Sequence, residues 1–224
     1  MSRKKFEMSA RKRLQGYLAS RRIKKIHDSV KTAFESRDLI AHNWDHIYRD
    51  TINAIRIGEA EGADMQIVLP AILLHDIGFL HHPDPAVHHR IGAEKCGDWL
   101  TDWSAVEKAG ITECILSHKG KMTGFNVAPP SLEAMVVHDA DLLEKIGKIG
   151  ILQSVRTYVE FGQGGVSDHH DYKNLYAIVK KRAVFEAVAF YTRTGEELAA
   201  RRGGHQIRRE FFNSILAELE EYEK

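Results

Sequence analysis

Apolar residues recur three and four positions apart in nearly every segment of the chain, and the alternation of a half-buried strand is hard to find. This spacing predicts an all-α fold. One amphipathic helix carries its apolar side through residues 44–58 and is expected to end at Gly62. Asp64 is then expected to cap the next helix, whose sequence ADMQIVLPAILLHDIG is apolar nearly all round and predicts a central, buried position. Pro70 lies inside it, so this helix either starts later than Asp64 or kinks.

The rest of the chain continues the helical pattern. Further helices are expected at about residues 86–102, 105–118, 131–146 and 148–160, and two long ones at about 173–200 and 205–222. Ser104 and Glu107 have the spacing of a capping box, and Gly203-Gly204 should separate the last two helices. Residues 162–170 lack periodicity and predict a loop.

The composition is that of a soluble globular protein. Of 224 residues, 43% are hydrophobic and 28% charged. No apolar run approaches the roughly 20 residues of a membrane span, and the first residues lack the apolar stretch of a signal peptide. We therefore expect a cytoplasmic protein with no membrane partner. Cys96 and Cys114 lie far apart in helical patterns and are interpreted as reduced structural thiols.

Charge is distributed unevenly along the chain. Residues 1–25 carry ten Lys or Arg and one acid, a net charge of +9, which leaves −8 for the other 199 residues of a chain whose total is +1. We divide the chain accordingly into a basic N-terminal helix or arm, 1–25, and a main domain, 26–224. In one interpretation the basic helix lies against the acidic body through Leu14, Tyr17, Leu18 and Ile23. In the other it attracts nucleic acid or an anionic substrate.

Several His and Asp residues lie where a buried helix favours apolar side chains. His75-Asp76 follows the run Ala71 to Leu74, and Asp141 lies in the apolar run 136–143. His46 precedes Ile47 of the first apolar helix side. A buried carboxylate is costly unless it is paired or binds a metal, so these positions indicate a common site.

The order of these residues resembles the H…HD…D pattern of the HD-domain metal-dependent phosphohydrolases. The His-Asp pair follows the first His by 29 residues, and the last Asp follows the pair by 65. The segments that carry the resemblance are WDHIYR at 44–49, LLHDIG at 73–78, ILSH at 115–118, DADLLEKIGKIG at 139–150 and TGEELA at 194–199. They are similar in particular to the nucleotide-pyrophosphohydrolase-like bacterial branch, over about residues 26–222. Two positions depart from it: Asp50 replaces an apolar residue, and Phe79 replaces a polar one.

The resemblance implies a compact helical bundle with a catalytic divalent metal on His46, His75, Asp76 and Asp141. Imidazole and carboxylate ligands suit Mn, Fe, Co, Ni, Zn or Mg, and the chain offers no Cys pair for a thiolate zinc site. His88 and His118 stand where binuclear members place further ligands. One or two ions are therefore expected, with Asp76 as the natural bridge between two. Asp141 rather than Asp139 matches the last ligand, and Asp139 is expected to orient a ligand histidine.

The leading functional hypothesis is a phosphohydrolase that acts on a small phosphate compound, a nucleotide in the first place, through a metal-activated water. His75, Asp76 and Arg49 are the expected catalytic residues. Lys119 and Lys145 are expected to bind phosphate, with Lys121 and Lys148 as further candidates. The sequence does not rank Asp45, Glu94 and Glu144 as general acid or base. The alternative is a non-catalytic metal and nucleotide module that contacts nucleic acid or a partner protein through its basic helix.

Overall fold

The computed structural model describes residues 9–120, 128–163, 174–183 and 189–222. Within these ranges the chain is helical and has no strand, which confirms the all-α prediction. The α-helices of the described ranges are α1 (Ala10–Tyr17), α2 (Arg21–Glu35), α3 (Trp44–Glu61), α4 (Met65–Leu74), α5 (His88–Lys95), α6 (Ala105–Ser117), α7 (Leu132–Leu142), α8 (Gly147–Gln163), α9 (Leu175–Ala183), α10 (Arg193–Arg201) and α11 (Gly204–Leu219). Short 3-10 helices lie at Ile77–Leu80, Cys96–Trp99, Leu143–Lys145 and Glu220–Tyr222.

Helix α4 is the centre of the core, as its uniformly apolar sequence predicts. It packs against α2, α3, α6 and α7, and its side chains from Val68 to Leu74 are buried. The Asp64 side chain accepts a hydrogen bond from the Gln66 amide at its N-terminus, and Gly62 ends the preceding helix with a φ of 78°. The helix runs from Met65 through Pro70, so it does not start late. His75 and Asp76 directly follow its buried C-terminal end and therefore lie in the interior.

The N-terminal segment lies against this body. Ala10, Leu14 and Ile23 are buried in the main core, and α2 continues across residue 25, where the sequence suggested a division. The basic side chains meet acids of the body: Arg13 pairs with Glu59 at 2.6 Å and Arg22 with Glu107 at 2.8 Å. In the described residues this arrangement matches the first interpretation of the charge asymmetry. No helix among them is long and apolar enough to cross a membrane.

The prediction of one helix over 173–200 is wrong. Helix α9 is described over Leu175–Ala183 and residues 184–188 lie outside the described residues. Residues 189–192 are not helical, and α10 begins only at Arg193. Thr192 caps α10, and its amide and hydroxyl both donate to the carboxylate of Asp139, at 2.7 Å and 2.6 Å. This tertiary capping contact offsets the loss of helical hydrogen bonds. Residues 164–170 of the predicted loop lie outside the described residues, and the first two continue α8.

Candidate metal centre and substrate cavity

The candidate ligands come from the ends of five helices that meet in the interior. His46 lies in the first turn of α3, and Asp141 lies in the last turn of α7. His75-Asp76 directly follow α4, His88 begins α5, and His118 directly follows α6. All six side chains are buried.

One group of ligand atoms surrounds the Nε2 atoms of His46 and His75. Asp76 Oδ2 lies 3.4 Å from each of them, and Asp141 Oδ1 lies 3.8 Å from His46 Nε2. Asp50 joins this group, with Oδ2 at 3.2 Å from His46 Nε2 and 3.5 Å from His75 Nε2. An ion that binds ligands at about 2.1 Å places neighbouring ligand atoms about 3.0 Å apart in octahedral and about 3.4 Å apart in tetrahedral coordination. The observed separations fit such an ion.

A second group lies on the other side of Asp76. Its Oδ1 is 3.3 Å from His88 Nε2 and 3.9 Å from His118 Nε2, and these two nitrogens are 3.2 Å apart. The two oxygens of Asp76 thus face different groups of histidines. Such a carboxylate has the arrangement required to bridge two ions.

Backbone carbonyls fix the orientation of three histidines. The Nδ1–H groups of His75, His88 and His118 donate to the carbonyl oxygens of residues 72, 85 and 115, at 2.7, 2.8 and 2.7 Å. The protons therefore lie on Nδ1, and the Nε2 lone pairs point into the site, as metal binding requires.

The charges of the site also fit a cation. Burial lowers the pKa of His46, His88 and His118, to about 4 for His88, so these imidazoles are neutral near pH 7. Burial alone would raise the pKa of Asp76, but His75 and its other histidine neighbours hold it well below its usual value. Among the described residues, His75 Nε2 and both oxygens of Asp50 have no hydrogen-bond partner. Buried polar atoms without partners are costly, and a divalent metal ion would satisfy them together.

The site opens into a cavity of about 200 Å³. Five ligand residues form its floor: His46, Asp76, His88, His118 and Asp141. Four cationic side chains also line it: Lys119, Lys145, Arg182 and Arg208. An aromatic stack forms another part of the site. The centroid of the Phe79 ring lies 4.2 Å from that of the His88 ring and 4.3 Å from that of the His42 ring. Phe79, which departs from the resembled branch, therefore packs on a candidate ligand.

The two lysines predicted to bind phosphate differ in their environment. Lys145 donates to Asp141 at 2.5 Å, and although burial alone would lower its pKa, that carboxylate raises it. Burial and Lys145 lower the pKa of Lys119 to about 8, which leaves it mostly protonated at neutral pH. Both amines are therefore positioned as cations beside the candidate ligands.

The other predicted functional residues that the structure describes do not line the cavity. Arg49 does not line it, because its guanidinium binds Asp45 and Glu144. Glu94 is exposed beside Lys95, and Lys148 is exposed next to a different cavity. Asp45, Glu94 and Glu144 are likewise absent from the cavity wall. Asp139 contacts His138, Tyr191 and Thr192 rather than a candidate ligand histidine, and Lys121 lies outside the described residues.

Sequence reasoning missed four residues of the site: Asp50, His42, Arg182 and Arg208. Asp50 had a usable signal, since residues four apart lie on the same helix face and Asp50 follows His46 by one turn. The other three had none. Arg182 and Arg208 come from α9 and α11, far from the motifs in sequence, and only the packing of these helices brings them to the cavity.

Comparisons with known proteins agree with this geometry. Residues 43–146 match the HD domain family. The chain is 29% identical over 184 residues to the uncharacterized protein YpgQ of Bacillus subtilis, which covers 80% of this chain and 84% of YpgQ. The crystal structure of YpgQ in complex with ADP superposes with a TM-score of 0.55 at 25% identity, covering 88% of this chain and 96% of YpgQ.

A structure from an uncultured Thermotogales bacterium, described as a predicted HD superfamily hydrolase, gives a TM-score of 0.57 at 27% identity. It covers 88% of this chain and 92% of its own. The ligand motifs, from His46 to Asp141, fall within the matched range. The chain therefore matches the HD domain family over residues 43–146 and has the fold of a structure described as a predicted HD superfamily hydrolase.

Proposed function

We propose that this protein is a metal-dependent phosphohydrolase that cleaves a phosphoester or phosphoanhydride bond, in a nucleotide in the first place. The observation that carries the proposal is the cavity, which joins a buried His and Asp centre to four cationic side chains. When bound, the metal would lower the pKa of a water ligand and polarise the phosphoryl group. The likeness to YpgQ, whose structure holds ADP, supports a nucleotide as the substrate.

The residues of the cavity have separate roles in this proposal. Lys119 and Lys145 bind phosphate oxygens next to the metal ligands, and Lys145 also holds Asp141 in place. Arg182 and Arg208 provide positive charge on the wall formed by α9 and α11, where a second phosphate group of the substrate would bind. Buried surroundings strengthen these interactions, because water screens them less.

The proposal is tested with a panel of nucleoside mono-, di- and triphosphates and simple phosphoesters, each assayed with Mn²⁺, Mg²⁺, Co²⁺, Ni²⁺ and Zn²⁺. We expect turnover that requires a divalent metal and is lost on chelation, with phosphate and pyrophosphate measured separately to identify the bond that is cleaved. Nucleotide binding without release of either product under any metal would contradict the proposal and favour the non-catalytic alternative.

Arg182→Gln is expected to raise KM for a polyphosphate substrate about five- to tenfold and to change kcat little, because the interaction with a remote phosphate is made equally in the ground and transition states. The Arg182 guanidinium donates to the Tyr158 hydroxyl at 2.7 Å and has no carboxylate partner among the described residues, so it is available for an anion. Steady-state kinetics measure the effect.

Lys180→Gln is the matched control, because Lys180 lies on the same helix and is exposed outside the cavity. It should leave KM unchanged. If KM for Arg182→Gln equals that of this control, Arg182 does not bind the substrate.

A further inference from the structure

Asp50 is a buried carboxylate with no structural contact that explains it. It lies on α3 one turn after His46 and is 0% exposed. Neither of its oxygens accepts a hydrogen bond from any described residue. Its Oδ2 instead lies 3.2 Å from His46 Nε2 and 3.5 Å from His75 Nε2.

The surroundings of Asp50 are unfavourable to a carboxylate in the absence of a cation. Asp50 is fully buried near the carboxylates of Asp141, Glu144 and Asp76. Lys145 and Arg202 are nearby cations, but neither donates a hydrogen bond to it. Replacement of such a group by an apolar side chain is often neutral or stabilising. A carboxylate at this position therefore needs a role that offsets its cost.

We infer that Asp50 is an additional ligand of the ion held by His46, His75, Asp76 and Asp141, and that it shifts the preference of this centre toward oxygen-preferring ions such as Mn²⁺. The inference rests on the metal centre of the proposed function. Its basis is the distance of Asp50 Oδ2 from two ligand nitrogens, 3.2 and 3.5 Å, which is close to the 3.4 Å that separates Asp76 Oδ2 from the same two atoms. Carboxylates favour Mn²⁺ and Mg²⁺, whereas imidazoles favour Zn²⁺ and Ni²⁺.

The added ligand makes the two halves of the centre unequal. Asp50 brings the first group to five protein donors, whereas Asp76, His88 and His118 supply three to the second. An ion with about six coordination positions would keep one position for water or substrate in the first group and three in the second. The second group is then the more open to a phosphate oxygen.

The experiment compares Asp50→Val and Asp50→Asn with the unaltered full chain, each stripped of metal with a chelator and then titrated with Mn²⁺ or Zn²⁺. Asp50→Val should lose at least about tenfold in Mn²⁺ affinity and less in Zn²⁺ affinity, so that the ratio of the two changes. Asp50→Asn keeps one oxygen but no charge, so its Mn²⁺ affinity should lie between those of Asp50→Val and the unaltered protein. In the absence of metal, Asp50→Val should raise the melting temperature, because it removes an unpaired buried carboxylate. Addition of Mn²⁺ should then raise the melting temperature of Asp50→Val by less than it raises that of the unaltered protein.

Thr51→Val is the matched control, since it places the same side chain at the neighbouring buried position of α3. It should leave the Mn²⁺ to Zn²⁺ ratio unchanged. A structural role for Asp50 would instead lower the metal-free melting temperature of Asp50→Val and leave that ratio unchanged, which would overturn the inference.

Asp141→Asn, titrated in parallel, separates this failure from that of the proposed function. If Asp141→Asn loses metal affinity and Asp50→Val does not, only the role of Asp50 is wrong. If neither substitution affects metal affinity, the metal centre itself, and with it the proposed function, is wrong.

Discussion

Asp76→Ala is expected to lower turnover of the phosphate substrate by at least about a hundredfold and to remove most of the bound metal. Its two oxygens face both groups of histidines, at 3.3 to 3.9 Å from four Nε2 atoms, and no other side chain in the described part of the chain has this position. The protein should remain folded, because its helices depend on the apolar core around α4 and not on this carboxylate. Kinetics, metal content by mass spectrometry and far-UV circular dichroism measure the three quantities.

Asp98→Ala serves as the control for this substitution, because Asp98 is an exposed aspartate that does not line the cavity. It should keep both its metal and its activity. Full activity of Asp76→Ala with an unchanged circular dichroism spectrum would reject the proposed site, whatever the metal content.

The sequence predicted helix boundaries best where a boundary depends on residues that are close in sequence. Gly62 ends α3 in a left-handed conformation, and Ser104 forms the predicted capping box with Glu107. Both signals act within one helical turn and need no tertiary contact. The break between α9 and α10 could not be read in this way, because it depends on the contact of Thr192 with Asp139, which lies 53 residues earlier.

The same distinction applies to the site. The four H…HD…D residues were predictable because their order resembles a family pattern and because they lie in or beside apolar segments, and the structure brings all four together. Arg49 was expected to be a catalytic residue, but its guanidinium is bound to Glu144, which is 95 residues away in sequence. No local pattern reveals such a partner. Arg182 and Arg208 were missed for the same reason, since only the packing of α9 and α11 brings them to the cavity.

We also expect the centre to bind a second metal ion, at His88 and His118. The Nδ1–H groups of His88 and His118 donate to backbone carbonyls, so the two Nε2 atoms, 3.2 Å apart, face each other as lone pairs. Both imidazoles are buried, and burial lowers the pKa of each, which leaves no proton to occupy the space between them. Two facing lone pairs repel each other unless a cation binds between them, and Asp76 Oδ1 supplies the negative charge for that cation.

His88→Ala and His118→Ala are therefore each expected to lower the metal content from about two ions per chain toward one, and to reduce turnover by about a hundredfold. Metal is measured by mass spectrometry on protein purified without a metal-affinity tag. His81→Ala, at an exposed histidine outside the cavity, should keep the full content. A content near one ion per chain that neither His88→Ala nor His118→Ala lowers would leave a mononuclear centre of His46, His75, Asp76 and Asp141. The contact between the Nε2 atoms of His88 and His118 would then need a proton, supplied either by protonation of one imidazole or by a tautomer change that frees one Nδ1 from its carbonyl.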